Sequence, residues 1–474
     1  MAFLLLALAF RGLYIGIQLH YRVIPETPGC ISLETGDTKG YLDPVENLIA
    51  KGTYAPDYRM PGVAAPYWVF RQFLDVGMSR DAMVILQWLL SGLNVYVLAL
   101  IALRLTGSQT TALIVYSAYL LSTYSSWFDS SIASDSLAVS SLILHTYLFQ
   151  RAWDRKSVLT MLGSGVFLTW FIFLRPIGAA LIPLVVLLLI VLERRSQPWK
   201  WLFALLFPFL VVDTVWTLRN QRVNGTMNPL TNQGWFPEEF AVEVRAHVMH
   251  FVQGYGGNYI WWAPGSDIRW YGVWKGGAEL DDEGRSAQSP PAYAFVDGYD
   301  IDSLTALSER IRRLERGGIP AADSLAERDA INERFDHYAE LYKEKAPFRY
   351  HVTSRLRMFR HLVWQHGTES LIIQPFAQLP LWAKLFKLLQ IGFYVFTFTF
   401  GFFGCLFTLW NWRRSIALVQ VWVPLIVLYL VVVFPIGLRM CEWRYMAHPF
   451  PFALLMGIIF LQQAWSRPLL PRSR

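Results

Sequence analysis

The stretch Ser157-Val158-Leu159-Thr160-Met161-Leu162-Gly163-Ser164-Gly165-Val166-Phe167-Leu168-Thr169-Trp170-Phe171-Ile172-Phe173-Leu174 is broken by Arg175-Pro176 and resumes as an apolar run to Leu192; its reading decides the fold class. Roughly twenty apolar residues, at about 1.5 Å each, cross a hydrocarbon core of about 30 Å. Each half is close to that length, so Arg175-Pro176 reads as the turn of a hairpin. Outward from it, comparable runs stand near 2–21, 82–103, 110–127, 134–150, 199–217, 384–410, 416–434 and 445–465. Apolar residues make up 54% of the 474 positions and charged ones 16%, against about a quarter charged in soluble domains. The expected fold is an all-α polytopic membrane bundle of about 10 transmembrane helices.

Charge fixes the expected orientation. Alternate short loops carry Arg104; Arg151, Arg155 and Lys156; Arg194, Arg195 and Lys200; Arg413 and Arg414; and the tail Arg467, Arg472 and Arg474, with only Asp154 and Glu193 as acids. The positive-inside rule therefore puts both termini in the cytoplasm, in the plasma (inner) membrane if the cell is bacterial. Much of the formal charge of +7 is this anchor set, and no basic–aromatic interleaving offers a base-stacking face, so nucleic acid is excluded as a partner. Residues 2–10 lack a basic n-region and a cleavage site, so the first helix is expected to be retained. Cys30, Cys405 and Cys441 make neither a disulfide framework nor a paired metal spacing.

Three regions follow. Residues 1–217 form a first transmembrane module of about seven helices with an outer loop over 22–81. An extracytoplasmic insert, α-rich or mixed, covers 218–383, and 384–474 adds about three helices and a cytoplasmic tail. The insert is too long for a connection and must fold. Its aromatics Trp235, Phe236, Tyr255, Tyr259, Trp261, Trp262, Trp270, Tyr271 and Trp274 suit lipid headgroups or a sugar face. Ser303–Arg316 and Ala321–Lys345 read as amphipathic helices. In 347–364, Arg349, Arg355, Arg357 and Arg360 alternate with apolar residues at helical spacing, as in a helix lying flat in the interface with its arginines toward lipid phosphates.

Ionisable groups at the membrane mouth mark functional sites. Asp37 follows Gly36 in the first outer loop, Gly36-Asp37-Thr38-Lys39-Gly40-Tyr41, which runs on to Arg59-Met60-Pro61-Gly62. It is either a free carboxylate or the N-cap of a helix starting near Lys39. Asp129 and Asp135 bracket the next outer turn, with Asp135 the more buried. Arg59, Arg175, Arg219 and Arg439 stand near outer helix ends, the last followed by Glu442, Arg444 and His448. Guanidinium forks suit phosphate, although snorkelling to lipid serves equally. Arg175 resists the second explanation, because Leu174 and Pro176 pin it in a tight turn. His448, between Ala447 and Pro449, is either a metal ligand or a hydrogen-bonded interface residue. Arg11 and Asp213 are the ionisable residues at membrane depth that need explaining.

Gly36-Asp37-x3-Tyr41, Leu48, Gly52, Tyr54 and Arg59-x-Pro61-Gly62 together resemble the first outer loop of the GT-C glycosyltransferases, in the protein mannosyltransferase-like and aminoarabinose transferase-like branch. Ser134-Asp135-Ser136-Leu137, Leu174-Arg175-Pro176, Trp216-x2-Arg219-Asn220, and Arg444-Tyr445 with Pro449 and Pro451 continue the resemblance in order. It covers about 1–230 and, more loosely, 347–465. It implies a membrane enzyme that takes a sugar from a polyprenyl-phosphate carrier and transfers it with inversion, Asp37 and Asp135 matching the acidic residues of the first and second outer loops. The chain departs where the family continues Pro-Gly-Tyr-Pro: here the residues are Pro61-Gly62-Val63-Ala64, with Pro66 two places late.

An inverting displacement needs one base for the acceptor proton. Its phosphate leaving group needs positive charge or a divalent metal ion. The expected assignment is Asp37 as base and Asp135 orienting acceptor or metal. Lys39, Arg59, Arg175 and Arg219 would hold the donor phosphate, with Asp129, Glu442 and His448 toward acceptor or metal. The expected partners are a polyprenyl-phosphate-linked sugar, membrane lipid, and a glycan, lipid or protein acceptor. The rival classes are a transporter or flippase for a lipid-linked or anionic solute and a non-catalytic glycan-binding scaffold. Transporters usually show internal repeats and broken helices, and none is evident here.

Overall fold

The computed structural model describes residues 1–20, 31–56, 59–192, 198–231, 244–257, 290–315, 320–365, 376–411 and 418–466. In chain order the helices are α1 (Ala2–His20), α2 (Thr38–Lys51), α3 (Ala64–Arg71), α4 (Val76–Thr106), α5 (Gln109–Leu121), α6 (Ser134–Arg155), α7 (Val158–Leu174), α8 (Leu181–Leu192) and α9 (Pro198–Asn224). Then come α10 (Val244–Tyr255), α11 (Ile301–Glu315), α12 (Ala321–Lys345), α13 (Ser354–Arg360), α14 (Leu381–Trp410), α15 (Leu418–Val432) and α16 (Phe450–Ser466). Only isolated bridges, Leu33 with Ser131 and Val296 with Tyr299, interrupt the helical and turn structure among the described residues.

A helix stands at every apolar run of the sequence, because a chain in lipid must satisfy its backbone polar groups internally. Five stretches are long and apolar enough to cross a membrane: Ala2–His20, Val76–Thr106, Trp199–Asn224, Leu381–Trp410 and Gln420–Leu438. The protein is an integral membrane protein. The expected ten crossings are thus only partly met, for two physical reasons. α5 has 13 residues, about 20 Å of helix. α6 is long enough but carries buried Ser136, Ser140, Ser141, His145, Thr146 and Gln150, because protein rather than lipid surrounds it.

The chain divides into two units: residues 1–235, 367–430 and 444–474, and residues 236–366 with 431–443. In the first, α4 packs on α1, α5 and α6, α7 on α6 and α9, and α14 on α16. Glycine lets two of these pairs approach closely. A Cβ on Gly165 would lie 2.2 Å from the Leu205 carbonyl oxygen, and one on Gly401 2.5 Å from that of Ala453, the small-residue packing that joins helices in membranes. Arg11 is fully buried in α1 and caps the C-terminus of α5, donating to the carbonyls of Tyr119 at 2.9 Å and Ser122 at 3.3 Å, where the helix dipole favours a cation. Asp213 in α9 accepts from the Leu230 amide at 3.0 Å. Both residues flagged at membrane depth therefore close helix ends or loops.

The second unit has a core of its own, in which α10 packs on α12. Phe251, Tyr255, Tyr299, Phe335, Tyr338 and Tyr342 fill it, with the Tyr299 and Tyr338 rings stacked at 4.6 Å. Tyr255 is thus a core residue; the other aromatics singled out in the insert lie outside the described residues. Around α13, Phe348, Val352 and Leu356 are exposed on one side. Arg355 and Arg357, expected to face lipid phosphates, instead donate to the carbonyls of Ile436 and Tyr255. Cys441 is buried and donates to the Met358 carbonyl at 3.2 Å, and Cys30 lies outside the described residues.

Candidate active site

Asp37 sits at the N-cap position of α2 yet makes no capping bond; its backbone is already helical, at φ −87° and ψ −19°. The carboxylate turns away to two arginines. Oδ1 accepts from Arg59 Nη2 at 2.6 Å and Oδ2 accepts from Arg444 Nη1. Asp37 is therefore neither of the two alternatives left open by the sequence: it makes no cap, and both its oxygens are held by guanidiniums. Burial pushes the Asp37 carboxyl up, and Arg444 and then Arg59 outweigh it, holding the group down at about 2. Arg59 reaches Asp37 by crossing Gly40, where a Cβ would lie 2.2 Å from its Nη1, and stacks 5.3 Å from the Tyr41 ring.

The second carboxylate comes from the first turn of α6. Asp135 is 1% exposed, and its Oδ1 accepts from Arg175, the residue after α7. His448, also 1% exposed, brings Nε2 to 3.9 Å from the same oxygen. Arg175 and Arg444 flank the Tyr445 ring, at 5.7 and 5.9 Å from its centroid.

Local chemistry joins these stretches. Thr38 donates to the Ile132 carbonyl at 2.9 Å and Tyr41 to the Ser134 hydroxyl at 3.1 Å, pinning the start of α2 to the start of α6. The Leu33 amide reaches the Ser130 carbonyl at 2.8 Å, and the Ile132 amide returns to the Leu33 carbonyl at 3.2 Å. Gly62 docks on the end of α7, its amide on the Phe173 carbonyl at 3.2 Å and its carbonyl accepting from Trp170 Nε1 at 2.9 Å. A Cβ there would meet the Phe173 oxygen at 2.5 Å. The Pro61-Gly62 pair thereby carries Arg59 toward Arg175.

The structure thus brings together Asp37, Asp135, Arg59, Arg175 and His448, and adds Arg444, Tyr41 and Tyr445. The sequence reading named Arg444 without giving it a role; the signal was its place in Arg444-Tyr445 ahead of the last helix. Other candidates stand elsewhere. Lys39 is exposed in the first turn of α2. Arg219 donates to the carbonyl of Tyr54 and to Asn220 Oδ1 at 3.0 Å, with its guanidinium 5.0 Å from the Trp216 ring. Asp129 accepts from the Ser136 hydroxyl at 2.7 Å and is held up at about 6 by burial, which Arg11, Ser91 and Ser136 only partly offset. Glu442 belongs to the second unit.

Among the described residues, no three His, Cys, Asp or Glu side chains gather to hold a metal ion. Asp135 and His448 supply two donors, and a guanidinium already occupies the shared oxygen. That set does not fit a divalent cation, and no step below runs through one.

Arg59, Arg175 and Arg444 face the carboxylates of Asp37 and Asp135, with His448 beside Asp135. Such a site can seat one anionic phosphate and offer a carboxylate to a nearby hydroxyl.

No protein-family model and no curated protein matches the chain. Among solved structures it is similar to the archaeal oligosaccharyltransferase AglB from Archaeoglobus fulgidus in complex with an inhibitory peptide and a dolichol-phosphate. The identity is 9% over 97% of this chain and 50% of that one, with a TM-score of 0.44. It is also similar to the Archaeoglobus fulgidus oligosaccharyltransferase in complex with Zn and sulfate, at 8% identity over 96% and 49% of the two chains and a TM-score of 0.45. The chain spans about half the length of these structures, and the likeness is too distant to transfer an activity.

Proposed function

We propose that this protein is an integral-membrane inverting glycosyltransferase that moves a sugar from a polyprenyl-phosphate carrier to an acceptor on the extracytoplasmic side. The observation that carries the reading is the convergence of Asp37, Asp135, Arg59, Arg175 and Arg444 from five separate stretches of the first unit. A sugar–phosphate–polyprenol is a phosphodiester with one negative charge, and guanidinium forks suit a phosphate. In the reaction the acceptor oxygen bonds to the anomeric carbon from the face opposite the phosphate. The carbon–oxygen bond to the phosphate breaks with its electron pair, and the arginines hold the resulting phosphate monoester. Asp37 takes the acceptor's proton; Asp135, fixed by Arg175, orients the acceptor.

A flippase is the second reading, favoured by the buried polar row down α6. Asn94 donates to Ser140 at 2.7 Å there, and both side-chain polar atoms of Gln150 are buried without a partner. The experiment that separates them is sugar transfer and donor flipping by purified protein in liposomes, for wild type and Asp37→Asn. Loss of transfer by about 10²–10⁴-fold with donor binding kept is the enzyme's signature. Acceptor-independent flipping by both proteins, with no transfer by either, would sink the enzyme reading.

A further inference from the structure

Asp37 raises a chemical difficulty: a carboxylate with a cation on each oxygen is a poor base. We propose that Arg444 is a lock on Asp37 that the donor's phosphate opens. Arg59 and Arg444 each hold one carboxylate oxygen; an arriving phosphate draws Arg444 toward Arg175 and leaves Oδ2 of Asp37 open to the acceptor's hydroxyl. The identity of the acceptor rests on the glycosyl-transfer reading, whereas the lock rests on the geometry.

Arg59 is the fixed partner. Its side chain is 11% exposed, packs on Tyr41 and threads over Gly40, which leaves it little other room. Arg444 is the more exposed of the two. It is 19% exposed and shares the Tyr445 ring with Arg175, a like charge that it faces at a cost. A phosphate seated between Arg175 and Arg444 turns that repulsion into two charge-assisted contacts. Arg175 keeps its own carboxylate, Asp135, so the phosphate competes with Asp37 for Arg444.

The step balances. The acceptor O–H proton passes to Oδ2 of Asp37, the oxygen's electron pair forms the new bond to the anomeric carbon, and the phosphate departs with the electrons of the bond it loses. When the polyprenyl phosphate leaves, Arg444 returns to Oδ2. The carboxyl, again between two guanidiniums and back at about 2, sheds its proton to water. The same arginine therefore seats the substrate and resets the base.

The test is labelling of Asp37 by dicyclohexylcarbodiimide, which reacts with protonated carboxyl groups, followed by peptide mass spectrometry on the full-length protein in nanodiscs at pH 6. Farnesyl phosphate serves as the probe, and its binding is measured in parallel by thermal shift. Labelling of wild type should rise at least tenfold with farnesyl phosphate, and Arg444→Gln should label at the raised level without it. Binding with unchanged labelling overturns the lock while leaving glycosyl transfer standing; absence of binding overturns both. Raised labelling supports the lock; farnesyl phosphate carries no sugar, so failure of transfer in the liposome assay with a sugar-bearing donor overturns the enzyme reading alone. Inorganic phosphate at the same concentration should have under a tenth of the effect, and an equal effect overturns a lipid-linked phosphate as the key. The wild-type arm decides the matter even if Arg444→Gln does not fold.

Discussion

At the scale of single residues, the double arginine clamp changes what substitution of Asp37 does. Asn keeps the shape and one acceptor but removes the carboxylate that two partly buried guanidiniums share. Asp37→Asn should therefore cost about 1–3 kcal/mol of stability, more than loss of a helix cap alone. The sign of the pH dependence follows from the folded carboxyl lying at about 2 against an ordinary 3.8. Its contribution is fully present above the ordinary value and is lost as pH falls toward 2. Thermal melts should show a wild-type advantage at pH 6 that closes between about pH 4 and 2; an unchanging gap would mean Asp37 stabilises by shape rather than charge. Arg175 obeys a related logic. Arg175→Ala strands Asp135, a carboxylate 1% exposed, and breaking a buried pair costs about 3–5 kcal/mol. The single variant thus confounds folding with phosphate binding. Arg175→Ala combined with Asp135→Asn should recover much of the stability while donor affinity stays low, and recovery of affinity as well would assign Arg175 to structure.

At the scale of elements, the site depends on how short segments dock, and here the sequence was legible in part. Asp37, Arg59 and Arg175 could be nominated because ionisable residues beside apolar runs are costly unless used. The role of Gly62 could not, because it comes from a contact: its Cα lies against the backbone of Phe173 and Leu174 at the end of α7. Gly62→Ala would set a Cβ 2.5 Å from the Phe173 oxygen and 2.7 Å from the Leu174 nitrogen. Neither atom belongs to a side chain that can swing aside, so the segment carrying Arg59 must lift. The expected result is a stability loss of about 1–3 kcal/mol with a weakened donor site. Gly36→Ala, where a Cβ meets open space, is the matched control and should leave both nearly unchanged. The arginines of 349–360 show the opposite limit. Their helical spacing was correct, but Arg355 and Arg357 take carbonyl partners from distant segments, which no local period encodes.

At the scale of the whole molecule, periodicity and composition carried the membrane class, because lipid leaves a chain few ways to satisfy its backbone. They did not carry the pairing of Asp37 with Arg444, 407 positions apart. Nor did they show that α6 runs through protein, where serines replace the apolar residues a lipid-facing helix requires. Orientation remains a matter of charge. The loops expected to be cytoplasmic hold Arg151, Arg155 and Lys156 in one and Arg413 and Arg414 in another, with Asp154 the only acid in either. Retaining basic residues within short loops is the strongest known determinant of topology. A cysteine or reporter placed after Lys156 or Arg414 should accordingly be reached only from the cytoplasm, and one placed within 280–300 only from outside. The consequence reaches the chemistry. Asp37 lies between the first two apolar runs, and the charge pattern predicts it on the side opposite Lys156, so the same labelling would report which leaflet presents the donor. If the 280–300 reporter were cytoplasmic, Asp37, Arg175 and Arg444 would open inward, and an extracytoplasmic acceptor would be out of reach.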